Sequence, residues 1–151
     1  MKKRKEVHEM ANYELLEEIE KYGRDNKIPI LLDDTLEYIS EILEKVRPKR
    51  ILEIGTAIGF SAICFSKYLA EEGRIDTIEI ESLRVEQALE NIQKVGVQDK
   101  IRVLEGDALE ILPYLTEKYD VIFIDAAKGK YLEFFEHALR LSKKGRIYYS
   151  G

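Results

Sequence analysis

From Arg50 onward, short apolar runs alternate with amphipathic segments, and that alternation narrows the fold more than any other feature. The runs are RILEI at 50–54, RIDTIEI at 74–80, KIRVL at 100–104, DVIFI at 120–124 and RIYYS at 146–150. Their length and β-branched content predict strands. Helical spacing is predicted between them, over about 60–70, 82–95, 108–115 and 130–142, with Gly73, Gly96 and Gly145 at expected helix C-caps. Strands that are mostly apolar are covered on both faces, and a helix between successive strands makes them parallel. The expected fold is a Rossmann-like doubly wound α/β sheet.

Two helices are predicted ahead of it. Leu15, Leu16, Ile19 and Tyr22 share one face of a helix over about 9–22, which Gly23 can end. Leu32, Leu36, Ile39, Leu43 and Val46 repeat the pattern, with Asp34 and Glu37 in capping-box relation and Pro48 beyond the end. Residues 1–48 are thus expected as a helical cover and 49–151 as the core of a single domain.

The 151 residues suffice for one proper core but not two. One cysteine, Cys64, excludes an internal disulfide, and without a signal-peptide pattern the expected location is cytoplasmic. No apolar run approaches the roughly 18 residues of a membrane span. A net charge of −5 argues against a broad nucleic-acid-coating surface, and KKRK at 2–5 reads as a solvated end.

Ligands of open α/β sheets sit beyond the carboxyl ends of the strands. There the sequence sets Gly55-Thr56-Ala57-Ile58-Gly59 after the first strand, Glu79 at the second, Asp107 after the third and Asp125 at the fourth. Gly55 and Gly59 alone could serve a tight turn. Their spacing is neither the Walker pattern nor G-x-G-x-x-G, which disfavours a triphosphate loop or a dinucleotide oxidoreductase. Glu79, twenty residues past Gly59, can accept both hydroxyl protons of a ribose. The combination favours an adenosine-containing ligand. Glu53, between Leu52 and Ile54, needs donors if buried, either the loop amides or a ligand ammonium. Such a charge suits a cationic ligand better than a pyrophosphate.

The segments LEIGTAIGFSAI, TIEIE, GDALEILPYL and YDVIFIDAAKGKYLEFFEHAL resemble the cation-dependent class I S-adenosylmethionine (SAM) O-methyltransferases, which include the catechol and caffeoyl-CoA enzymes. The resemblance spans roughly 25–150 and is strongest to the bacterial branch that methylates 5-hydroxyuridine in tRNA. It implies the class I methyltransferase fold, SAM as cofactor, magnesium, and a tRNA or small hydroxylated aromatic substrate. By resemblance, Glu53, Gly55, Thr56, Ala57, Gly59 and Ser61 surround the methionine part, and Leu31 closes over it. Glu79 holds the ribose, while Asp107 and Ala108 border the adenine. Asp125 faces the cofactor and is the first magnesium ligand, and Lys128 matches the general base. Residue types agree: a divalent cation and a lysine of depressed pKa together deprotonate a hydroxyl.

The family's Asp-Asn metal pair is expected near Gly151 and is absent, so the magnesium site is expected to be incomplete and the chain impaired. The sheet is expected to lack its C-terminal strands, leaving the fifth strand an apolar edge that invites pairing with another chain, as in a homodimer. A non-catalytic cofactor-binding remnant or an oligomerising module is the alternative. Elsewhere ordinary roles are expected: His8 and His137 as helix residues, Cys64 as a packed small hydrophobe, and Tyr131, Phe134, Phe135, Ala138 and Leu139 as a helix core stripe.

Overall fold

The computed structural model describes residues 2–125 and 130–150, with side chains at 12–125, 130 and 132–149. Two helices, α1 (Lys2–Asp25) and α2 (Asp33–Val46), precede strand β1 (Arg50–Ile54). There follow α3 (Phe60–Ser66), β2 (Arg74–Glu79), α4 (Ser82–Val95), β3 (Ile101–Glu105) and α5 (Ala108–Ile111), which runs into a 3-10 turn. Strand β4 (Val121–Asp125), α6 (Tyr131–Leu141) and β5 (Ile147–Ser150) complete the described elements. The strands form one parallel sheet in the order β3-β2-β1-β4-β5. The doubly wound α/β expectation holds, with each strand within one residue of its predicted bounds.

Strand periodicity divides the core. Ile51, Val121 and Phe123 face a cluster with Ile39 and Leu43 of α2, Ile63 of α3 and Ile92 of α4. Their neighbours Leu52, Ile54, Ile122 and Ile124 face Phe134, Ala138 and Leu141 of α6 on the opposite side. Alternate residues of one strand thus serve different helical layers. Cys64 packs against the first cluster, as expected of a small hydrophobe. No described helix is long and apolar enough to cross a membrane.

Helix ends depart from expectation where packing overrides local signals. Helix α1 runs past Gly23 to Asp25, and a Cβ on Gly23 would lie 1.9 Å from Ile30 Cδ1, so this glycine permits close approach of the connector. At α2 the N-cap is Leu32 without a side-chain cap bond, so the Asp34–Glu37 box does not form. Gly96 caps α4 at φ +82°, as predicted. Gly73 lacks a positive φ and sits tight against the Ala70 carbonyl, whereas Gly145 turns the chain after α6, whose cap is Ser142. Leu139 is exposed and Leu141 takes its core place.

Chain order reverses between β1 and β4: one excursion builds β2 and β3, the other β4 and β5. A crevice at their carboxyl ends is the expected ligand site of such a sheet. Gly55 and Asp125 meet there, since a Cβ on Gly55 (φ +102°) would come within 2.8 Å of Asp125 Cβ.

Candidate functional site

Gly55 ends β1, and its N–H and that of Thr56 both donate to the Ile78 carbonyl of β2, at 2.9 and 3.1 Å. The chain then turns through Ala57, held at φ +48°, a left-handed conformation costly for a residue with a Cβ. Gly59, at φ +86°, is the N-cap of α3, and the Asn91 amide of α4 anchors the neighbouring Ile58 carbonyl. The strained turn is held from below. Glu79 Oε1 accepts from the Ala57 N–H at 2.8 Å, and Oε2 accepts from the Glu81 N–H at 3.0 Å. Both carboxylate oxygens are thereby fixed, and each keeps lone-pair capacity for a further donor.

Two cavities meet at this turn. The larger, about 300 Å³, includes Ile78, Glu79, Ile80, Asp107, Ala108 and Phe134 in its wall, with Arg84 and Lys130 also lining it. Asp107 also caps α5 by accepting from the Leu109 N–H. The smaller, about 210 Å³, is lined by Leu31, Thr56, Ala57, Phe60, Ser61 and Phe123 among others. Pro29, Gly55, Ala57 and Asp125 border both, so the two read as one bent groove.

Of the sequence-nominated residues, Leu31, Gly55, Thr56, Ala57, Ser61, Glu79, Asp107, Ala108 and Asp125 line this groove. Glu53 and Gly59 do not. Glu53 is 0 % exposed beneath α3, on the face of β1 that carries Ile51. Ser61 donates to its Oε2, and Thr77 of β2 donates to Oε1 at 2.7 Å. Burial raises the Glu53 carboxyl to about 7 against those two hydrogen bonds, with Asp125 and Glu79 adding same-sign repulsion. Lys128 lies outside the described residues.

Sequence reasoning passed over Ile80, Phe134 and Thr77. Phe134 packs in the core as the helix stripe predicts, and it also borders the larger cavity. Ile80 carried a signal: an apolar side chain immediately past a strand-end carboxylate, 54 % exposed in the structure. Thr77 carried none, because its role depends on cross-strand register with Glu53.

The O-methyltransferase family profile matches residues 6–150. The chain belongs to the O-methyltransferase family. This O-methyltransferase-family chain is 36% identical over 114 residues to a catechol O-methyltransferase of Niastella koreensis, covering 73% of itself and 52% of that protein. It is 35% identical over 119 residues to caffeoyl-CoA O-methyltransferase 1 of Eucalyptus globulus, covering 76% and 48% respectively. The chain thus spans about half the length of these curated relatives. A crystal structure of the Bacillus cereus O-methyltransferase in complex with SAH superposes with a TM-score of 0.80 at 30% identity, over 89% of this chain and 64% of that one. The five-stranded parallel sheet is therefore the class I methyltransferase arrangement.

Among the described residues of this O-methyltransferase-family chain, no group of three or more His, Cys, Asp or Glu side chains could hold a metal ion. Asp125 has the hard oxygens magnesium prefers, but one carboxylate does not make such a site.

Proposed function

We propose that the groove holds S-adenosylmethionine and that the protein to which this chain belongs transfers the methyl group to a substrate hydroxyl. The observation carrying this reading is Glu79, whose carboxylate is fixed by two backbone amides in the wall of the larger cavity. In the proposed pose it accepts both ribose hydroxyls. The adenine lies between Ile80 and Phe134 beside Asp107 and Ala108, and the methionine part turns past Ala57 into the smaller cavity under Leu31. Asp125, at the junction, faces the cofactor's positive charge. The SAH bound by the Bacillus cereus relative supports that assignment.

Transfer is an in-line displacement: the substrate oxygen forms a bond to the methyl carbon as the carbon–sulfur bond breaks, leaving SAH and releasing the hydroxyl proton. Positioning supplies most of the acceleration. Lys128 is the proposed proton acceptor. The acceptor is proposed to be catechol-like, in line with the named relatives. A hydroxyuridine of tRNA rests on the motif resemblance alone.

Isothermal titration with SAH tests the cofactor reading. Micromolar binding is expected, weakened about ten-fold or more in Glu79→Gln by loss of charge-assisted hydrogen bonds. No heat at high micromolar protein refutes it. Transfer of tritiated methyl to caffeate or to hydroxyuridine tRNA separates the acceptors, and binding without transfer to either favours a purely cofactor-binding chain.

A further inference from the structure

The smaller cavity has hydroxyls in its wall whose direction is set from beneath. Thr77 Oγ1 is 2.7 Å from Glu53 Oε1 and 2.7 Å from Thr56 Oγ1, and Ser61 donates to the other Glu53 oxygen. Thr56, Thr77 and Glu53 are 1 % exposed or less. Thr56 and Ser61 line the cavity, whereas Thr77 and Glu53 do not.

Each hydroxyl carries one proton, and an ionised carboxylate only accepts. With Glu53 ionised, Ser61 and Thr77 must both donate to it. Thr77 then has no proton left for Thr56, so Thr56 donates to Thr77. Both hydroxyls have spent their protons inside the protein, and Ser61, the more exposed of the two, offers only lone pairs to a ligand. Protonated Glu53 donates instead, either to Ser61 or to Thr77, which then turns its own proton to Thr56. In each case one cavity hydroxyl regains a free proton.

We propose that Thr77 is a positioning residue for cofactor binding: its buried hydroxyl, donated to Glu53, favours the ionised carboxylate that holds Ser61 as an obligate acceptor, so that this end of the groove selects an ammonium group. The inference rests on the proposed function, in which that cavity takes the amino-acid end of the cofactor. Selection is strongest with Glu53 ionised. Asp125 on β4 and Glu79 on β2 add negative field, Phe123 opposite on β4 is uncharged, and Cys64 on α3 stays a thiol because burial pushes it up to about 12.

The test compares wild type, Thr77→Val and Thr77→Ser by titration with SAH, and with its deaminated analogue, between pH 5.5 and 8. Wild-type affinity for SAH is expected to fall about ten-fold per pH unit below pH 7, and that for the analogue to stay nearly flat. Loss of one hydrogen bond to the carboxylate moves the Thr77→Val midpoint up by about one pH unit, about five-fold weaker binding at pH 7, and Thr77→Ser restores it. Calorimetry of the wild type in buffers of different ionisation heat keeps the inference testable should Thr77→Val not fold: about one proton is released on SAH binding near pH 6 and almost none at pH 8. A Thr77→Val profile matching the wild type, or no proton release near pH 6, overturns the inference while leaving SAH binding intact. A wild type that binds no SAH at any pH overturns the reading beneath it as well.

Discussion

Replacing Glu53 by glutamine should make the protein more stable at neutral and mildly alkaline pH. The carboxyl is buried and raised from 4.5 to about 7. An acid whose folded pKa exceeds its unfolded value binds a proton in the native state before the unfolded state does. Between about pH 4.5 and 7 the folded chain is therefore the more protonated, and stability falls as pH rises through that window. At about 1.4 kcal/mol per unit, the shift corresponds to about 3 kcal/mol lost by pH 8. Glutamine removes the titration and keeps the bonding, since its carbonyl can accept from Ser61 while its amide donates to Thr77, which then donates to Thr56.

Urea unfolding followed by tyrosine fluorescence is the assay, the chain having nine tyrosines and no tryptophan. With a urea slope of about 2 kcal/mol/M, the wild-type midpoint should drop by roughly 1.5 M from pH 5 to pH 8, while that of Glu53→Gln stays level. Other resolved shifts fall outside the window: Asp120 is lowered from 3.8, and Cys64 and Tyr119 titrate far above it. A wild-type midpoint that does not move with pH, or an equal drop in Glu53→Gln, would refute the reasoning.

Two further substitutions probe opposite ends of the sheet. Asp76→Ala removes the acceptor shared by Arg74, Arg102 and Tyr119 and should cost about 3–5 kcal/mol by thermal or urea unfolding, with SAH affinity of the folded protein unchanged. Gly55→Ala puts a Cβ at φ +102° within 2.8 Å of Asp125 Cβ and should cost about 1–3 kcal/mol. SAH titration should show weaker binding there as well, because Asp125 must move.

What the sequence disclosed follows from the range of the interactions involved. Strands were legible because apolar runs bounded by turn signals encode burial directly, and the groove because parallel topology sends every strand end to one rim. Helix ends were legible only where local chemistry decides them, as at Gly96. Gly23 and Gly73 answer to residues packed against them, which no local pattern announces. The acid at position 53 was visible as an anomaly in an apolar strand. That Ser61 stands between it and the cavity, and that Thr77 lies beneath, required the register of β1 against β2 and the descent of α3 onto that face.

Strand β2 carries two buried carboxylates three residues apart, and their partners separate structure from function. Asp76 meets two guanidinium groups and a phenol, with Arg74 and Arg102 at 3.0 Å, so its charge is neutralised in place. Glu79 receives backbone amides from Ala57 and Glu81. Those dipoles fix its orientation at the wall of a groove that Asp107 and Asp125 also border. Arg84 and Lys130 line the same groove, so its rim carries charges of both signs. In the proposed pose the ligand brings ribose hydroxyl donors to Glu79 and its positive charge to Asp125, and Asp76, already paired, has no part in it.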